Sequence, residues 1–279
     1  MASDLPKFFH LHLISDATGE TLSAVAKAAI VQYSQVRSIE HVHSLVRNKR
    51  QLDRVLQEIE SAPGIVLYTI VNTELAEILE EHCHALQVPC VPVLATIMQV
   101  FESYLGAPST PTVGGQHVLD AEYFRRIDAL NFTMAHDDGR LPEDLNDADI
   151  VIIGISRTSK TPTSIYLAQR GFKTTNVPLI PSIPLPPQLE QAKDVFVVGL
   201  VASADRISQV RRNRVLALAD RDLSEYVDRD MIEEEIAFTR RLCSRNGWPV
   251  IDVTRRSIEE TAAAILKQYH EKAAMAEGG

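Results

Sequence analysis

The chain has 279 residues, a length that allows one large domain or two modest domains, each with its own hydrophobic core. Hydrophobic residues make up 45% and charged residues 23% of the sequence, which is typical of a globular enzyme and excludes an intrinsically disordered chain. The formal net charge of -9 argues against nucleic acid as the main partner, and no apolar run approaches the roughly 18 residues that a membrane-spanning helix needs.

The first 105 residues alternate between strand and helix patterns. An apolar, β-prone segment at residues 8–15 breaks at a polar turn and continues as a helical pattern at residues 21–33. Further strands are predicted at residues 39–46, 65–71 and 88–93, and further helices at residues 49–61, at residues 74–86 and in the segment that ends near residue 105. Strands that alternate with helices in this way predict a parallel sheet.

A second alternating series follows a loop rich in proline, glycine and serine at residues 106–115. It opens with a helix predicted at residues 119–133, and the polar turn at residues 135–139 suggests a domain boundary between residues 140 and 141. Four strands are then predicted, at residues 149–153, 174–179, 195–200 and 249–253. The first of these is a short continuous apolar run, which is typical of the middle of a parallel sheet. No internal repeat is evident in the sequence.

The cysteines give an expectation about the compartment. Cys83, Cys90 and Cys243 form no C-x-x-C pair and are odd in number, so they predict neither a structural zinc site nor a disulfide framework. The N-terminal residues show no export signal. We therefore expect a cytoplasmic protein.

The segment at residues 154–161, here called the phosphate loop, matches the pattern G-x-x-x-x-G-K-[ST] except at one position, where Ser159 replaces the second glycine. Its residues are Gly154, Ile155, Ser156, Arg157, Thr158, Ser159, Lys160 and Thr161. An incidental turn rich in serine and threonine is the alternative interpretation. The apolar strand before the loop and the helical pattern after it favour phosphate binding, because the motif requires both.

Each residue type that the loop pattern specifies has a chemical task. Backbone N–H groups and the positive end of the following helix surround phosphates, Lys160 neutralises their charge, and Thr161 can hold a metal ion. Pro162 supports a helix that begins at Lys160 or Thr161, because proline is favoured in a first helical turn. Ser159 is tolerable if its backbone stays in an ordinary region, since a left-handed conformation costs a non-glycine residue roughly 1–2 kcal/mol.

Two features outside the loop favour a P-loop kinase. Four arginines lie on one helical stretch after the strand at residues 195–200, where such kinases place arginines that close over the transferred phosphoryl group: Arg206, Arg211, Arg212 and Arg214. For most of the four a solvated basic face is the alternative. The last strand and helix resemble those of nucleotide and shikimate kinases, with Ser257 and Glu260 forming a capping box. We therefore expect an α/β protein with a parallel-sheet N-terminal domain at residues 1–140 and a P-loop-kinase-like α/β domain at residues 141–279.

Three carboxylates are candidates for the base that orients an attacking hydroxyl. Asp16 follows the first strand, at the edge where parallel sheets place their sites, and N-capping of the next helix is the alternative. Asp137 and Asp138 lie beside His136 in a tight polar turn, which could equally be a turn without chemistry. Two pairs of histidines are interpreted as surface or structural residues, because neither has a convincing third metal ligand: His41 with His43, and His82 with His84. No metal ligand is assigned.

Three separated motifs together resemble one family. The segments at residues 14–21, 135–139 and 154–164 read I-S-D-A-T-G-E-T, A-H-D-D-G and G-I-S-R-T-S-K-T-P-T-S, and in this order they are similar to the bacterial regulatory proteins of pyruvate, phosphate dikinase and of phosphoenolpyruvate synthase. The resemblance covers nearly the whole chain. The R-T-S-K version of the loop is closer to the dikinase branch.

The resemblance implies a bifunctional enzyme. Its kinase activity would use ADP to phosphorylate a threonine near the catalytic histidine of the dikinase, and its phosphorylase activity would remove that phosphate with inorganic phosphate and give pyrophosphate. The phosphate loop would bind ADP, with Lys160 and Arg157 contacting phosphates, Asp137, Asp138 or Asp16 serving in catalysis, and Mg²⁺ assisting. Activity on phosphoenolpyruvate synthase, a small-molecule P-loop kinase and a nucleotide-sensing module without chemistry are the alternatives. A homodimer is left open.

Overall fold

A computed structural model describes residues 8–110, 112–115, 121–141, 145–191, 195–218 and 224–277 of the chain. The chain divides into two compact units between residues 118 and 119. Each unit contains a four-stranded sheet in which neighbouring strands are parallel. The predicted α/β class, with a parallel sheet in each half, is confirmed.

The first unit has strands and helices in strict alternation. Its elements are β1 (Phe8–Ser15), α1 (Glu20–Ile30), β2 (Arg37–His43), α2 (Lys49–Ser61), β3 (Gly64–Thr69), α3 (Thr73–Ala85), β4 (Cys90–Pro92) and α4 (Ala95–Leu105). The strand order is β2-β1-β3-β4, so the connection after β1 leads to one side and the connection after β2 crosses back to the other. Strand β1 is therefore central, and its last five residues are buried.

Helix α2 shows how sequence pattern produces packing in this unit. Its apolar residues recur at helical spacing, and all four are buried against the sheet: Leu52, Val55, Leu56 and Ile59. Its N-terminus is capped by Asn48, whose side chain accepts a hydrogen bond of 3.0 Å from the backbone N–H of Gln51. The helix therefore begins at Lys49, as the pattern predicted.

The second unit repeats the same alternation. Its elements are α5 (Ala121–Ala135), β5 (Ile150–Gly154), α6 (Lys160–Ala168), β6 (Thr174–Pro178), α7 (Pro187–Gln191), β7 (Phe196–Val201), α8 (Ala204–Leu218), α9 (Ser224–Val227), α10 (Arg229–Asn246), β8 (Val250–Asp252) and α11 (Ile258–Glu277). The strand order is β6-β5-β7-β8. Every residue of β5 and of β7 is buried, as expected for central strands of a covered parallel sheet.

Helix α5 belongs to the second unit, whereas the sequence suggested a domain boundary after this helix, between residues 140 and 141. It packs on α6 and β6, and the Thr133 hydroxyl accepts a hydrogen bond of 3.1 Å from the backbone N–H of Thr174. The polar turn after α5 is also fixed to β6, since the N–H of Gly139 donates to the carbonyl of Asn176 at 2.9 Å. The turn at which the sequence suggested a domain boundary is therefore part of the second unit.

The longest described helix, α11, begins with the predicted capping box. The Ser257 hydroxyl accepts from the N–H of Glu260 at 3.1 Å, and the Glu260 carboxylate accepts from the N–H of Ser257 at 2.8 Å. This confirms the prediction for that helix start. Among the described residues, no helix has both the length and the apolar content needed to cross a membrane.

Candidate functional site

The phosphate loop connects the central strand β5 to helix α6, which begins at Lys160 as predicted. Its first residue, Gly154, lies against the neighbouring strand. A Cβ atom at Gly154 would be 2.6 Å from the carbonyl oxygen of Leu200 in β7, a distance that real Cβ atoms do not show. Only glycine therefore allows the chain to leave the sheet at this point and turn over the end of β7.

Two loop residues that are not glycine have left-handed backbone conformations. Arg157 has φ 73°, and Ser159 has φ 60° and ψ 27° at the N-cap position of α6. The condition that made Ser159 acceptable, an ordinary backbone region, is therefore not met. Ser159 makes no capping hydrogen bond with its side chain, so the first N–H groups of α6 have no side-chain cap. Ser159 thus adopts a left-handed conformation that glycine would adopt without a steric penalty, and the loop carries backbone strain.

This strain gives the first prediction. Ser159→Gly should raise the free energy of unfolding by about 1 kcal/mol, because relief of roughly 1–2 kcal/mol of left-handed strain exceeds the added entropy of glycine in the unfolded chain. Denaturant titration of both proteins measures the difference. Gly19→Ser is the reciprocal control, since Gly19 has φ 82° at the N-cap of α1 and ordinary space around its missing Cβ, and it should lower stability by a similar amount. Equal stability of Ser159→Gly and the parent chain would contradict the strain.

Lys160 is buried beside the loop. Its side chain is only 7% exposed, and its Nζ donates a hydrogen bond of 3.0 Å to the carbonyl of Ile155. Burial lowers the pKa of Lys160 to about 8, and the nearby charges of Asp138 and Asp137 oppose that shift only in part. In the described part of the chain, this ammonium is thus held by a carbonyl and not by an ion pair, which leaves its charge available to an anion.

The acidic turn at residues 136–139 lies next to the start of α6. The Asp137 Oδ1 atom accepts a hydrogen bond of 3.0 Å from the Thr161 hydroxyl and another from the side-chain amide of Asn176. Asp138 differs, because its side chain is exposed and its backbone, at φ 54°, is held by a 3.3 Å bond from its N–H to the Asn176 side-chain oxygen. The predicted residues Asp137, Asp138, Lys160 and Thr161 therefore lie together. Asp137 is engaged with the loop, and the Asp138 carboxylate is open to solvent.

Arg211 holds the loop from the side of α8 and α10. This arginine is 1% exposed, and its Nη2 atom donates to a carboxylate oxygen of Glu235 at 2.6 Å and to the carbonyl of Ser156 at 3.4 Å. Its guanidinium lies over the ring of Tyr226, with 4.5 Å between the guanidinium carbon and the ring centroid. A buried charge with these partners fixes the backbone of the loop in place.

Tyr226 joins this cluster through its hydroxyl, which lies 2.9 Å from the Ser156 hydroxyl. Burial alone would raise the pKa of Tyr226, but hydrogen bonds to Ser156 and Arg157 and the charges of Arg157 and Arg211 bring it below its usual value. The exposed Arg157 side chain is therefore held at the mouth of the loop by a phenol. From this exposed position, the Arg157 side chain can contact a ligand at the loop.

The other arginines of α8 have different surroundings. Arg206 and Arg212 are exposed, and the side chain of Arg214 lies outside the described residues. The expectation that one or two of the four approach the site agrees with the position of Arg211. Its contacts are with Ser156 of the loop and with Tyr226 and Glu235 outside the loop.

Asp16 belongs to the first unit, whereas the phosphate loop and the acidic turn belong to the second. It is 4% exposed, and its Oδ2 atom accepts a hydrogen bond of 2.7 Å from the N–H of Val71, after β3. The N-cap of α1 is Gly19, so Asp16 does not fill the alternative capping role. Its carboxylate instead joins the ends of β1 and β3.

The histidines of the first unit form a ladder across β1 and β2. His10 Nδ1 lies 2.9 Å from His41 Nε2, and His12 Nδ1 lies 3.4 Å from His43 Nε2. Burial lowers the pKa of His12 and of His43. His82, of the second predicted pair, lies 3.0 Å from a carboxylate oxygen of Glu60. Within the described ranges, no group of three or more histidine, cysteine or acidic residues is arranged to hold a metal ion.

Three residues of the site were not found from the sequence. Asn176 is a fully buried amide within β6, and a polar residue in such a strand is a weak signal that could have been used. Tyr226 and Glu235 have no comparable signal in the sequence. Tyr226 contacts Ser156, which lies 70 residues away in the chain, and Glu235 contacts Arg211, which lies 24 residues away. Tertiary packing alone brings them together.

The chain is similar to known proteins along most of its length. The family model described as kinase/pyrophosphorylase matches residues 11–266. The chain is 62% identical over 259 residues to a protein of Chelativorans sp. (strain BNC1), a match that covers 93% of this chain and 95% of the relative. It is 59% identical over 260 residues to a protein of Sinorhizobium fredii and 57% identical over 266 residues to one of Bradyrhizobium diazoefficiens, with 93% and 95% of this chain covered and 95% of each relative. All three relatives are named as pyruvate, phosphate dikinase regulatory proteins.

Proposed function

Because the chain belongs to the kinase/pyrophosphorylase family, we propose that it transfers a phosphoryl group from ADP to a threonine of pyruvate, phosphate dikinase and removes that group by phosphorolysis. The dikinase is proposed as the protein substrate because the relatives carry its name. We place this activity in the cytoplasm. The phosphate loop, the acidic turn and the Arg211 cluster of the second unit form the proposed site.

The observation that carries the proposal is the buried ammonium of Lys160. Burial of the Lys160 ammonium without a carboxylate partner costs folding free energy, because the cation loses its hydration. An anion bound at the loop would offset that cost. The uncapped N-terminus of α6 points to the same ligand, since its N–H groups favour negative charge. A diphosphate placed across these groups would be held by backbone N–H donors, Lys160 and Arg157.

In the kinase direction, the threonine oxygen forms a bond to the β-phosphorus of ADP, and the bond from that phosphorus to the bridging oxygen breaks. The products are phosphothreonine and AMP. The threonine proton goes to a carboxylate, for which we propose Asp138, because its carboxylate is exposed and its negative charge favours the protonated form of Lys160. Lys160 stabilises charge that develops on the transferred group.

Mg²⁺ fits the residues present near the start of α6. The hydroxyl of Thr161 and the carboxylate of Asp137 lie 3.0 Å apart, and hydroxyl and carboxylate oxygens are ligands that Mg²⁺ accepts together with substrate phosphates and water. Thr161 and Asp137 would hold the ion. When bound, it would neutralise phosphate charge.

In the reverse direction, inorganic phosphate takes the place of the nucleotide. An oxygen of inorganic phosphate forms a bond to the phosphorus of phosphothreonine, the bond to the threonine oxygen breaks, and that oxygen receives a proton as pyrophosphate forms. The same carboxylate can return the proton. The two anions must lie next to each other, and Lys160, Arg157 and the loop N–H groups supply donors for both.

Labelled ADP tests the proposed function directly. ADP labelled in its β-phosphoryl group is incubated with the full chain and either purified dikinase or purified phosphoenolpyruvate synthase. Label on the dikinase is expected. Label on the synthase alone would move the assignment to the second target, and label on a metabolite would favour a small-molecule kinase. Binding without transfer would reduce the protein to a nucleotide-sensing module.

The lowered pKa of Lys160 predicts a pH dependence of ADP affinity. The free side chain loses its proton as pH rises through about 8, and a bound anion favours the protonated form, so affinity should fall above pH 8 by up to about tenfold per pH unit. ADP itself contributes little, since its last phosphate ionisation lies near pH 6. Titration calorimetry from pH 7 to 9.5 measures the profile.

Lys160→Arg is the matched variant for this profile. Arginine stays protonated over the whole range, so its affinity for ADP, whatever its absolute value, should not change with pH. A flat profile for the parent chain, or the same slope in both proteins, would contradict the titration of Lys160.

A further inference from the structure

Tyr226 lies on the short helix α9, and its backbone is fixed by neighbouring segments. The Ser208 hydroxyl of α8 donates a hydrogen bond of 2.8 Å to the carbonyl of Val227, and Nη1 of Arg211 donates one of 3.0 Å to the carbonyl of Tyr226. Two residues further along, Asp228 caps α10 by accepting hydrogen bonds from its first N–H groups. The position of Tyr226 is therefore set from α8 on one side and from the start of α10 on the other.

The ring of Tyr226 is held as firmly as its backbone. The Arg211 guanidinium lies over one face of the ring, and Arg211 is itself buried and paired with the Glu235 carboxylate at 2.6 Å. Breaking a buried ion pair of this kind is costly, so the guanidinium stays over the ring. The phenol oxygen is thus kept at one point beside the phosphate loop, 2.9 Å from the Ser156 hydroxyl.

Arg157, in contrast, is exposed and has a long side chain. Such a side chain loses rotamer freedom when it binds a ligand, and that loss weakens binding. The phenol oxygen of Tyr226 removes part of this freedom in advance. Burial acts to raise the pKa of Tyr226, but hydrogen bonds from Ser156 and Arg157 and the charges of Arg157 and Arg211 lower it, so the phenol and the Arg157 guanidinium are in contact.

The contact with the phenol leaves the Arg157 guanidinium able to bind a ligand. A guanidinium has five N–H donors in a planar fork, and a phenol oxygen occupies only part of that fork. The remaining donors can reach phosphate oxygens while the bond to Tyr226 persists. The phenol therefore orients Arg157 for an anion and does not compete with the anion for it.

We propose that Tyr226 is a positioning residue, which holds the Arg157 guanidinium where it binds the phosphates of ADP at the phosphate loop. The proposal rests on the proposed function, because it takes Arg157 to be a phosphate ligand. Arg157 would contact the phosphates before and during transfer alike, so the contribution of Tyr226 is to affinity and not to the rate of the bound complex.

An absorbance titration of phenolate tests the contact without any ligand. The sequence has seven tyrosines, and Arg157→Ala should move the ionisation of one of them to higher pH, because the guanidinium that favours the phenolate is removed. Tyr226→Phe should remove that ionisation in both backgrounds. The same titration curve in Arg157→Ala and the parent chain would overturn the proposal, whether or not the protein transfers phosphate.

Calorimetric titration with ADP at pH 7.5 and single-turnover transfer to dikinase test the consequence. Tyr226→Phe should raise the Kd for ADP about tenfold, the usual cost of losing a hydrogen bond to a charged group. Its rate at saturating ADP should change less than about twofold, because uniform binding does not affect that rate. In the Arg157→Ala background, Tyr226→Phe should change the Kd less than about twofold further, since the residue that it positions is gone.

Tyr166→Phe is the matched control. Tyr166 lies near the C-terminal end of α6, where its hydroxyl accepts a hydrogen bond of 2.7 Å from Nη2 of Arg170 and its ring lies 4.8 Å from the Arg170 guanidinium carbon. This pair has the same chemistry as the pairs that Tyr226 makes, away from the loop. Tyr166→Phe should leave both the Kd for ADP and the saturated rate unchanged.

The outcomes separate this proposal from the proposed function. Equal ADP affinity in Tyr226→Phe and the parent chain, with transfer by the parent chain intact, would overturn the positioning role alone. So would a fall in the saturated rate as large as the loss of affinity, since that marks a general disturbance of the loop that carries Lys160. Weaker ADP binding by Tyr226→Phe, with no transfer by the parent chain, would reject the proposed function and keep the role of Tyr226. Thermal melting checks that each variant is folded.

Discussion

Lys160→Ala is expected to lower the rate of phosphoryl transfer from ADP at least about 10²-fold, by analogy with removal of one donor that stabilises transition-state charge. The ammonium is buried at the loop, so its contribution is not weakened by solvent as that of a surface charge would be. Single-turnover transfer with saturating ADP and dikinase measures the rate. A separate effect on ADP affinity is expected, because the same charge is proposed to bind the diphosphate in the ground state.

A second lysine controls for the loss of positive charge in general. Lys267→Ala removes an exposed lysine of α11 that lies 3.9 Å from Glu271, and it should leave transfer unchanged. Folding is followed by thermal melting. Removal of a buried ammonium is not expected to destabilise the chain strongly, since burial already disfavours its charged form. If Lys160→Ala transferred phosphate at the parent rate, the proposed role of Lys160 would be rejected.

Asp138→Asn is expected to lower transfer by about 10²–10⁴-fold, the usual range for loss of a general base. Asp138 is assigned this role in preference to Asp137 for two reasons. Its side chain is exposed, and its negative charge favours the protonated form of Lys160 more than the charge of Asp137 does. The Asp137 carboxylate already accepts hydrogen bonds from Thr161 and Asn176, so it is better placed to position the loop and to hold the proposed Mg²⁺. Single-turnover rates in both directions measure the loss, and the same carboxylate should affect both.

The controls for Asp138 separate chemistry from charge. Asp128→Asn removes an exposed carboxylate of α5 that pairs with Lys173 at 2.9 Å, and it should not affect transfer. Asp137→Asn keeps an oxygen for the Thr161 hydroxyl and should reduce transfer less than Asp138→Asn if Asp137 is a positioning residue, and more if it is the base. Kinase and phosphorylase rates that survive both substitutions together would remove the acidic turn from the mechanism.

The strands and helices were largely predictable, because their apolar periodicity is local. Strand β1 and helix α2 have the predicted bounds, and α6 begins at the residue expected from the loop motif and Pro162. The division between the units was less accessible. The polar turn at residues 135–139 suggested a domain boundary, and only its hydrogen bonds to β6 show that it is part of the second unit.

The parts of the site that consist of consecutive residues were predictable, and the contacts between distant segments were not. The phosphate loop and the acidic turn carry local motifs, and the structure brings Lys160, Thr161, Asp137 and Asp138 together. The left-handed backbone of Ser159 was not predictable, because the sequence predicts a preference for residue types and not the conformation that tertiary packing imposes. Tyr226, Glu235 and Asn176 act through contacts between distant segments.

The environment of Lys160 also shows what a sequence motif does not reveal. Lys160 is recognised from the loop pattern, but the pattern does not reveal that it is buried without an ion-pair partner in the described part of the chain. That environment, and not the presence of a lysine, explains the lowered pKa and is the reason that we propose an anion as the ligand. It is also the reason that Lys160→Arg is expected to change the pH profile and not only the affinity.

Calorimetric titration of the full chain with ADP at pH 7.5, with and without Mg²⁺, is the most direct measurement of the central claim that the phosphate loop binds a diphosphate. The account predicts heat of binding with a stoichiometry of one ADP per chain at this loop, strongly weakened in Lys160→Ala and unchanged in Lys267→Ala. Absence of binding to the folded parent chain under both conditions, or equal affinity in Lys160→Ala, would contradict it.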